Sequence, residues 1–299
     1  MKAEPDHLPA SLWGVLAGLT LAWGFNWTAM KLALSEIPPW TFRTLCLGLG
    51  SAVLFAVLRA ARQPLAIGKG QLPRLAVLAF FNITLWNVLI AFGLTMVASG
   101  RAAIVAYTMP AWAIPLSVWL LGERLTGRKI FGLVLAMAAL ALVLGDGWAQ
   151  FGAAPLGSLL ILGAAIAWAF GAVLQKRYPV AMPVGAYTAW IMLLGGVPIF
   201  ACALAFDDWG ALGHVGVKPL LGLLYNILVA FAFAHWAWIK IATTVPVTVF
   251  SLSMTVIPVI GVLSGMLVLG ERPGWVEYAA LALVFGSLIT VVVPARQAR

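Results

Sequence analysis

The chain has 299 residues, 63% of them apolar and only 9% charged, whereas an average soluble domain carries about 25% charged residues. Its 18 Lys and Arg and 9 Asp and Glu cannot cover the surface of a water-soluble fold of this length, so most of that surface must meet lipid. The net charge of +9 does not signal nucleic acid, because the basic residues fall in short clusters between apolar runs, such as Arg59, Arg62, Lys69 and Arg74, and form no stripe that could follow phosphates.

A membrane span needs about 20 mostly apolar residues. Read from one turn or charge cluster to the next, the chain offers ten, centred near Ala22, Gly50, Leu85, Ala111, Ala138, Ala165, Gly195, Leu228, Ile257 and Leu283. The separators are helix breakers, among them Pro38-Pro39, Gln63-Pro64, Ser99-Gly100, the stretch from Gly122 to Gly127, and Gly270 to Gly274. The expected fold is an all-α integral membrane protein of ten transmembrane helices. The residues before the first run, Met1 to Ala10, carry both charge signs and lack the layout of a signal peptide, so that run reads as a retained helix.

Polar side chains at mid-span should face other helices or a water-filled cavity, because lipid offers no hydrogen bonds. In the first span Trp23, Asn26 and Trp27 share a helical face at i, i+3 and i+4, and in the third Asn82 and Trp86 do the same. They are candidate substrate-binding residues. The alternative is that Trp anchors at the interface and Asn bridges neighbouring helices. In the fourth span Tyr107 precedes Pro110 by about one turn. Trp168 in the sixth repeats Trp23, and His235 joins Asn226 and Trp236 in the eighth. In the ninth, Ser251 and Thr255 lie on a stripe towards Pro258. Pro110 and Pro258 are expected to interrupt their helices, each freeing a carbonyl and supplying a hinge or a static kink. Lys31 and Lys176 sit near helix ends, where a long cation snorkels or meets a substrate carboxylate. Cys46 and Cys202 lie inside apolar runs and read as unpaired thiols.

With the N-terminus inside, thirteen of the 18 Lys and Arg fall on the cytoplasmic side; the other five are Lys31, Arg43, Arg101, Lys218 and Arg272. The positive-inside rule therefore predicts cytoplasmic termini.

The halves repeat. Ala22-Trp23, Phe25, Lys31 and Pro38 recur 145 positions later as Ala167-Trp168, Phe170, Lys176 and Pro183. Pro110 and Leu121-Gly122-Glu123-Arg124 recur 148 positions later as Pro258 and Leu269-Gly270-Glu271-Arg272. Five spans is an odd number, so the second unit, residues 155–294, must be inverted relative to the first, residues 11–147. Inverted repeats are the plan of many secondary transporters, in which two similar halves rock about a midplane site.

With its doubled Gly-Glu-Arg signature at Gly122-Glu123-Arg124 and Gly270-Glu271-Arg272, the chain resembles the EamA-type members of the drug/metabolite transporter superfamily, over roughly Ser11 to Val293. That resemblance implies a multi-pass protein of the bacterial inner membrane that exports amino acids, other metabolites or amphiphilic drugs. The aromatic richness looks most like the aromatic amino-acid exporter group.

No Asp or Glu stands at the centre of a span, Glu277 being the nearest. This predicts facilitated diffusion, or coupling through His235 or Lys176, and suits neutral or zwitterionic cargo. No cofactor or metal is called for: His7 and His214 lie in loops without carboxylate partners, and neither cysteine has a plausible partner for catalysis. The expected partners are a small-molecule substrate and the bilayer, with alternating access carried by a single chain. A gated channel and a drug or lipid carrier are the competing readings.

Overall fold

The computed structural model describes the backbone over residues 10–149, 154–244 and 247–292, and side chains over 12–146, 155–238, 241 and 256–290. Within these limits the chain forms helical rods joined by short loops. They are α1 (Ala10–Ala33), α2 (Pro39–Ala60), α3 (Leu72–Met96), α4 (Ser99–Leu121), α5 (Gly127–Ala149), α6 (Ala154–Arg177), α7 (Val184–Phe206), α8 (217–244), α9 (Val247–Leu269) and α10 (Trp275–Val292). Among the described residues seven helices are long and apolar enough to cross a membrane, namely α2 to α8. Helix α1 is diluted by Trp23, Gly24, Asn26, Trp27, Thr28 and Lys31 and falls outside that set. The described parts of α9 and α10 contribute shorter apolar stretches, Val256–Leu269 and Trp275–Thr290.

The breakers act as their chemistry dictates. Pro39 opens α2, where the missing N–H of a first-turn proline would have had no partner, and Pro183 stands at the N-cap of α7. Gly122 and Gly270 end α4 and α9 in the left-handed region, with φ of 67° and 68°, a conformation that favours glycine. This explains the glycine of both Gly-Glu-Arg signatures.

Two rods carry π-helical turns, Phe80–Leu85 in α3 and Tyr225–Phe233 in α8. Asparagine amides stabilise both: Asn87 Nδ2 donates to the Ile83 carbonyl at 2.8 Å and Asn226 Nδ2 to the Gly222 carbonyl at 2.9 Å. The prolines behave differently from each other. Helix α4 breaks at Tyr107 and Thr108, and Pro110 opens the segment that follows. Helix α9, by contrast, runs unbroken through the buried Pro258. The expected interruption is thus present in one half only: a proline in the first turn of a new segment forfeits no hydrogen bond, whereas Pro258 is held within a continuous packed rod.

Helix α1 packs on α8 and α9, α6 on α3 and α4, α2 on α7, and α5 on α10. Exchanging helix n with helix n+5 maps this set of pairs onto itself. The tightest crossings are made by glycine. A Cβ on Gly93 of α3 would lie 2.8 Å from the Gly157 carbonyl of α6, and one on Gly157 would lie 3.0 Å from the Gly93 carbonyl. A Cβ on Gly222 of α8 would meet the Ala29 carbonyl of α1 at 2.5 Å. Large apolar side chains such as Leu267, Phe206 and Leu204 are exposed on the outside, as expected of a lipid-facing surface.

Candidate functional site

Helices α1, α2, α3, α4, α6 and α8 enclose a cavity of about 170 Å³. Trp23, Asn26, Trp27 and Met30 of α1 line it, with Ile83, Trp86, Asn87 and Ile90 of α3, Tyr107 and Met109 of α4, Trp168 of α6, Ala230, Phe231 and His235 of α8, and Arg43 of α2. Seven residues singled out in the sequence therefore meet in one place: Trp23, Asn26, Trp27, Trp86, Tyr107, Trp168 and His235. Pro110 adjoins the cavity residue Met109. Ser251 and Thr255 lie outside the residues whose side chains are described.

Asn82 is set apart. It is buried between α3 and α6, where its Oδ1 occupies the position a Cβ on Gly171 would take and has no hydrogen-bond partner among the described residues. Asn82 lies within the π-helical turn of α3, and it is Ile83, Trp86, Asn87 and Ile90 of that helix that line the cavity.

The walls are aromatic and mutually supported. The Trp86 and Trp168 rings lie 5.0 Å apart, Trp27 meets Tyr107 edge-on at 6.4 Å, and Trp23 meets Trp238 at 5.4 Å and His235 at 6.2 Å. Trp23 Nε1 donates to the Ala230 carbonyl at 3.3 Å and Tyr225 Oη to the Ala22 carbonyl at 2.9 Å, tying α1 to α8. His235 stacks on Phe231 at 5.3 Å, and its Nδ1 lies 2.9 Å from the Phe231 carbonyl and 3.2 Å from that of Ala230. A carbonyl only accepts, so Nδ1 carries the proton in this arrangement. Flat apolar faces with a few amide groups suit stacking of a flat or apolar solute.

Arg43, one of the five basic residues outside the cytoplasmic group, is not a surface charge. It is only 3% exposed and lines the cavity. Its Nε donates to the Asn87 carbonyl at 3.2 Å, an Nη contacts the Met30 sulfur at 3.1 Å, and the guanidinium lies 5.1 Å from the Phe42 ring centre. The sequence held one usable sign: at the matching place in the second half, 145 residues on, stands Thr188, which bonds back to the Val184 carbonyl of its own helix. The repeat breaks where the cavity acquires its cation.

Polar contacts gather at both ends of the bundle. At one end Glu271 accepts hydrogen bonds from the Ser99 amide at 2.6 Å, the Ser99 hydroxyl at 3.0 Å and the Gly100 amide at 3.2 Å, so it caps the N-terminus of α4. Arg101 bridges Asp146 and Glu277 there. Lys31 Nζ donates to the Leu94 and Val97 carbonyls, both at 2.6 Å, so it caps the C-terminus of α3 in place of snorkelling. At the other end Glu123 pairs with Lys129 at 2.9 Å and Lys176 at 2.5 Å. Hydrogen bonds from Lys176 and then Lys129 hold its carboxyl down to about 2. Glu123 and Glu271 occupy matching signature positions yet hold different partners.

The EamA-like transporter family matches this sequence twice, over residues 8–145 and 155–293. The chain belongs to the EamA-like transporter family. The uncharacterized transporter YoaV of Bacillus subtilis (strain 168) is 26% identical over 263 residues, covering 86% of this chain and 88% of that protein. A protein named "Probable amino-acid metabolite efflux pump" from Escherichia coli (strain K12) is 26% identical over 285 residues, covering 92% and 93%. A crystal structure with a TM-score of 0.65 and 22% identity, covering 94% of this chain and 97% of that chain, shares the fold.

For an EamA-like transporter, the doubled signature acquires a physical sense here. Its glycine ends a helix, and its glutamate leaves that helix to hold another element, α4 in one half and the Lys129 and Lys176 pair in the other. Among the described residues of this EamA-like chain no group of three or more His, Cys, Asp or Glu could hold a metal ion.

Proposed function

We propose that this chain is a secondary transporter that exports neutral or aromatic amino acids across a bacterial inner membrane by alternating access. Its ten helices act as two inverted five-helix units, residues 11–147 and 155–294, with both termini cytoplasmic and no catalytic step. The observation that carries this reading is the aromatic cavity enclosed by helices of both units, with Trp23 and its repeat Trp168 both on its wall. The recurrence of packing partners between the halves supports the inverted arrangement, and the family membership supports transport. In this account the cavity opens in turn towards the Glu271 end and the Glu123 end, and the break at Tyr107 and Thr108 before Pro110 is a bending point of α4. Among the described residues no carboxylate lines the cavity, which supports facilitated diffusion, with His235 on the wall as the group that would serve a proton-coupled scheme.

The test is uptake of labelled tryptophan, phenylalanine and leucine into liposomes holding the purified protein, with and without a pH gradient. Saturable uptake that needs no gradient is expected. Transport of amphiphilic drugs or lipids with no amino acid accepted would replace this reading with that of a drug or lipid carrier.

A further inference from the structure

Resting on the reading of the cavity as the substrate site, we propose that Arg43 is the carboxylate-binding residue of that cavity, and that the preferred substrate is a compound with a carboxylate at one end and a flat apolar body at the other. A guanidinium stays charged in a protein and has five N–H donors arranged as a fork. Two of Arg43's contacts are assigned, one to a carbonyl and one to a sulfur, and neither partner is anionic. The carboxylates among the described residues are engaged elsewhere. Glu36 caps α8 through Gly216 N, Asp207 caps α2 through Thr41, and Asp208 bonds Gly210 N. Glu271 caps α4, while Glu123, Asp146 and Glu277 pair with Lys or Arg at the bundle ends. The described ion pairs do not include Arg43.

A buried, uncompensated cation is unfavourable unless an anion arrives to share its site. Binding of a carboxylate supplies that charge, and the planar fork accepts it in a two-pronged geometry that a lysine cannot reproduce. The rest of the wall matches the remainder of such a ligand. Trp27, Trp86 and Trp168 offer stacking faces, and Asn26, a cavity residue whose buried Oδ1 has no partner among the described residues, supplies an acceptor for an ammonium group. An α-amino acid with an aromatic side chain satisfies all three features, and a flat carboxylic acid without the amine satisfies two.

The experiment uses the full chain in liposomes and measures inhibition of labelled tryptophan uptake by unlabelled tryptophan, indole-3-propionate, tryptamine and tryptophanamide. In the unaltered protein both carboxylates are expected to compete about 10-fold or more better than either compound lacking one. In Arg43→Gln the carboxylates should lose about 10- to 100-fold in apparent affinity while tryptamine is little changed, and Arg43→Lys should fall between. Equal competition by all four compounds in the unaltered protein overturns the proposal without any variant. So does an Arg43→Gln protein that still prefers the carboxylates. An unaltered protein that carries amphiphilic amines and no amino acid overturns the amino-acid reading itself, and is recognised by uptake of labelled tryptamine in the same liposomes.

Discussion

At the scale of single residues, the cavity is a set of rings whose positions are fixed by their neighbours. Removing one ring should weaken an aromatic substrate without unfolding the chain. Stacking geometry is worth about 0.5–1.5 kcal/mol beyond the buried area, so Trp86→Ala and Trp168→Ala are each expected to raise the apparent KM for tryptophan about 3- to 10-fold or more. The effect on leucine should be smaller, and uptake kinetics for the two substrates check this. Trp23, Trp27, Tyr107 and Trp168 were legible because a polar tip or a repeated Trp inside an apolar run must be accounted for. Asn82 and Arg43 were not legible. A 3.6-residue period cannot anticipate a π-helical turn, and it does not tell that Asn82 packs against Gly171 of α6 while Asn87 lines the cavity. An arginine four residues into a span reads as an interface charge until the fold buries it.

At the scale of elements, the rods were readable from length, hydropathy and breakers, because Pro at a helix start and Gly at a helix end act locally. Their internal irregularities were only half readable: Pro110 marks a break, Pro258 does not, and neither π-helical turn has a proline to announce it. The close crossings make a prediction of their own. With backbone oxygens of the partner helix already at 2.8–3.0 Å from a notional Cβ at Gly93 and Gly157, α3 and α6 cannot stay so near if either gains a side chain. Gly157→Val is expected to lower the thermal midpoint of the detergent-solubilised protein by several degrees, on the order of 1–3 kcal/mol of strain. Gly14→Ala, with open space around its position, should leave it unchanged. Fluorescence-detected thermal melting compares the two.

For the whole molecule, the unequal engagement of the two signature glutamates is the feature most relevant to alternation. Glu271 holds the N-terminus of α4, whereas its counterpart Glu123 holds two lysines. The Glu123 carboxyl is depressed from about 4.5 to about 2 by Lys176 and Lys129. A depressed carboxyl contributes its stabilisation above the unperturbed value and loses it only as pH falls through the depressed one. The Glu123 clamp should therefore persist at neutral pH and weaken only in strong acid. Between about pH 5 and 8 the pH profile of uptake is expected to have the same shape in Glu123→Gln as in the unaltered protein, whatever the change in overall rate. A profile reshaped within that range would show that Glu123 titrates there.

Transport by alternating access requires that the solute pass through the cavity between the two halves. The most direct test places a single cysteine at Ile90 on the cavity wall, in a chain with Cys46 and Cys202 replaced by alanine, and follows its modification by a membrane-impermeant thiol reagent added to either face of the liposomes. Modification from both faces, slowed by tryptophan and accompanied by loss of uptake, is the predicted result. Unimpaired uptake after complete modification of that cysteine would contradict the account.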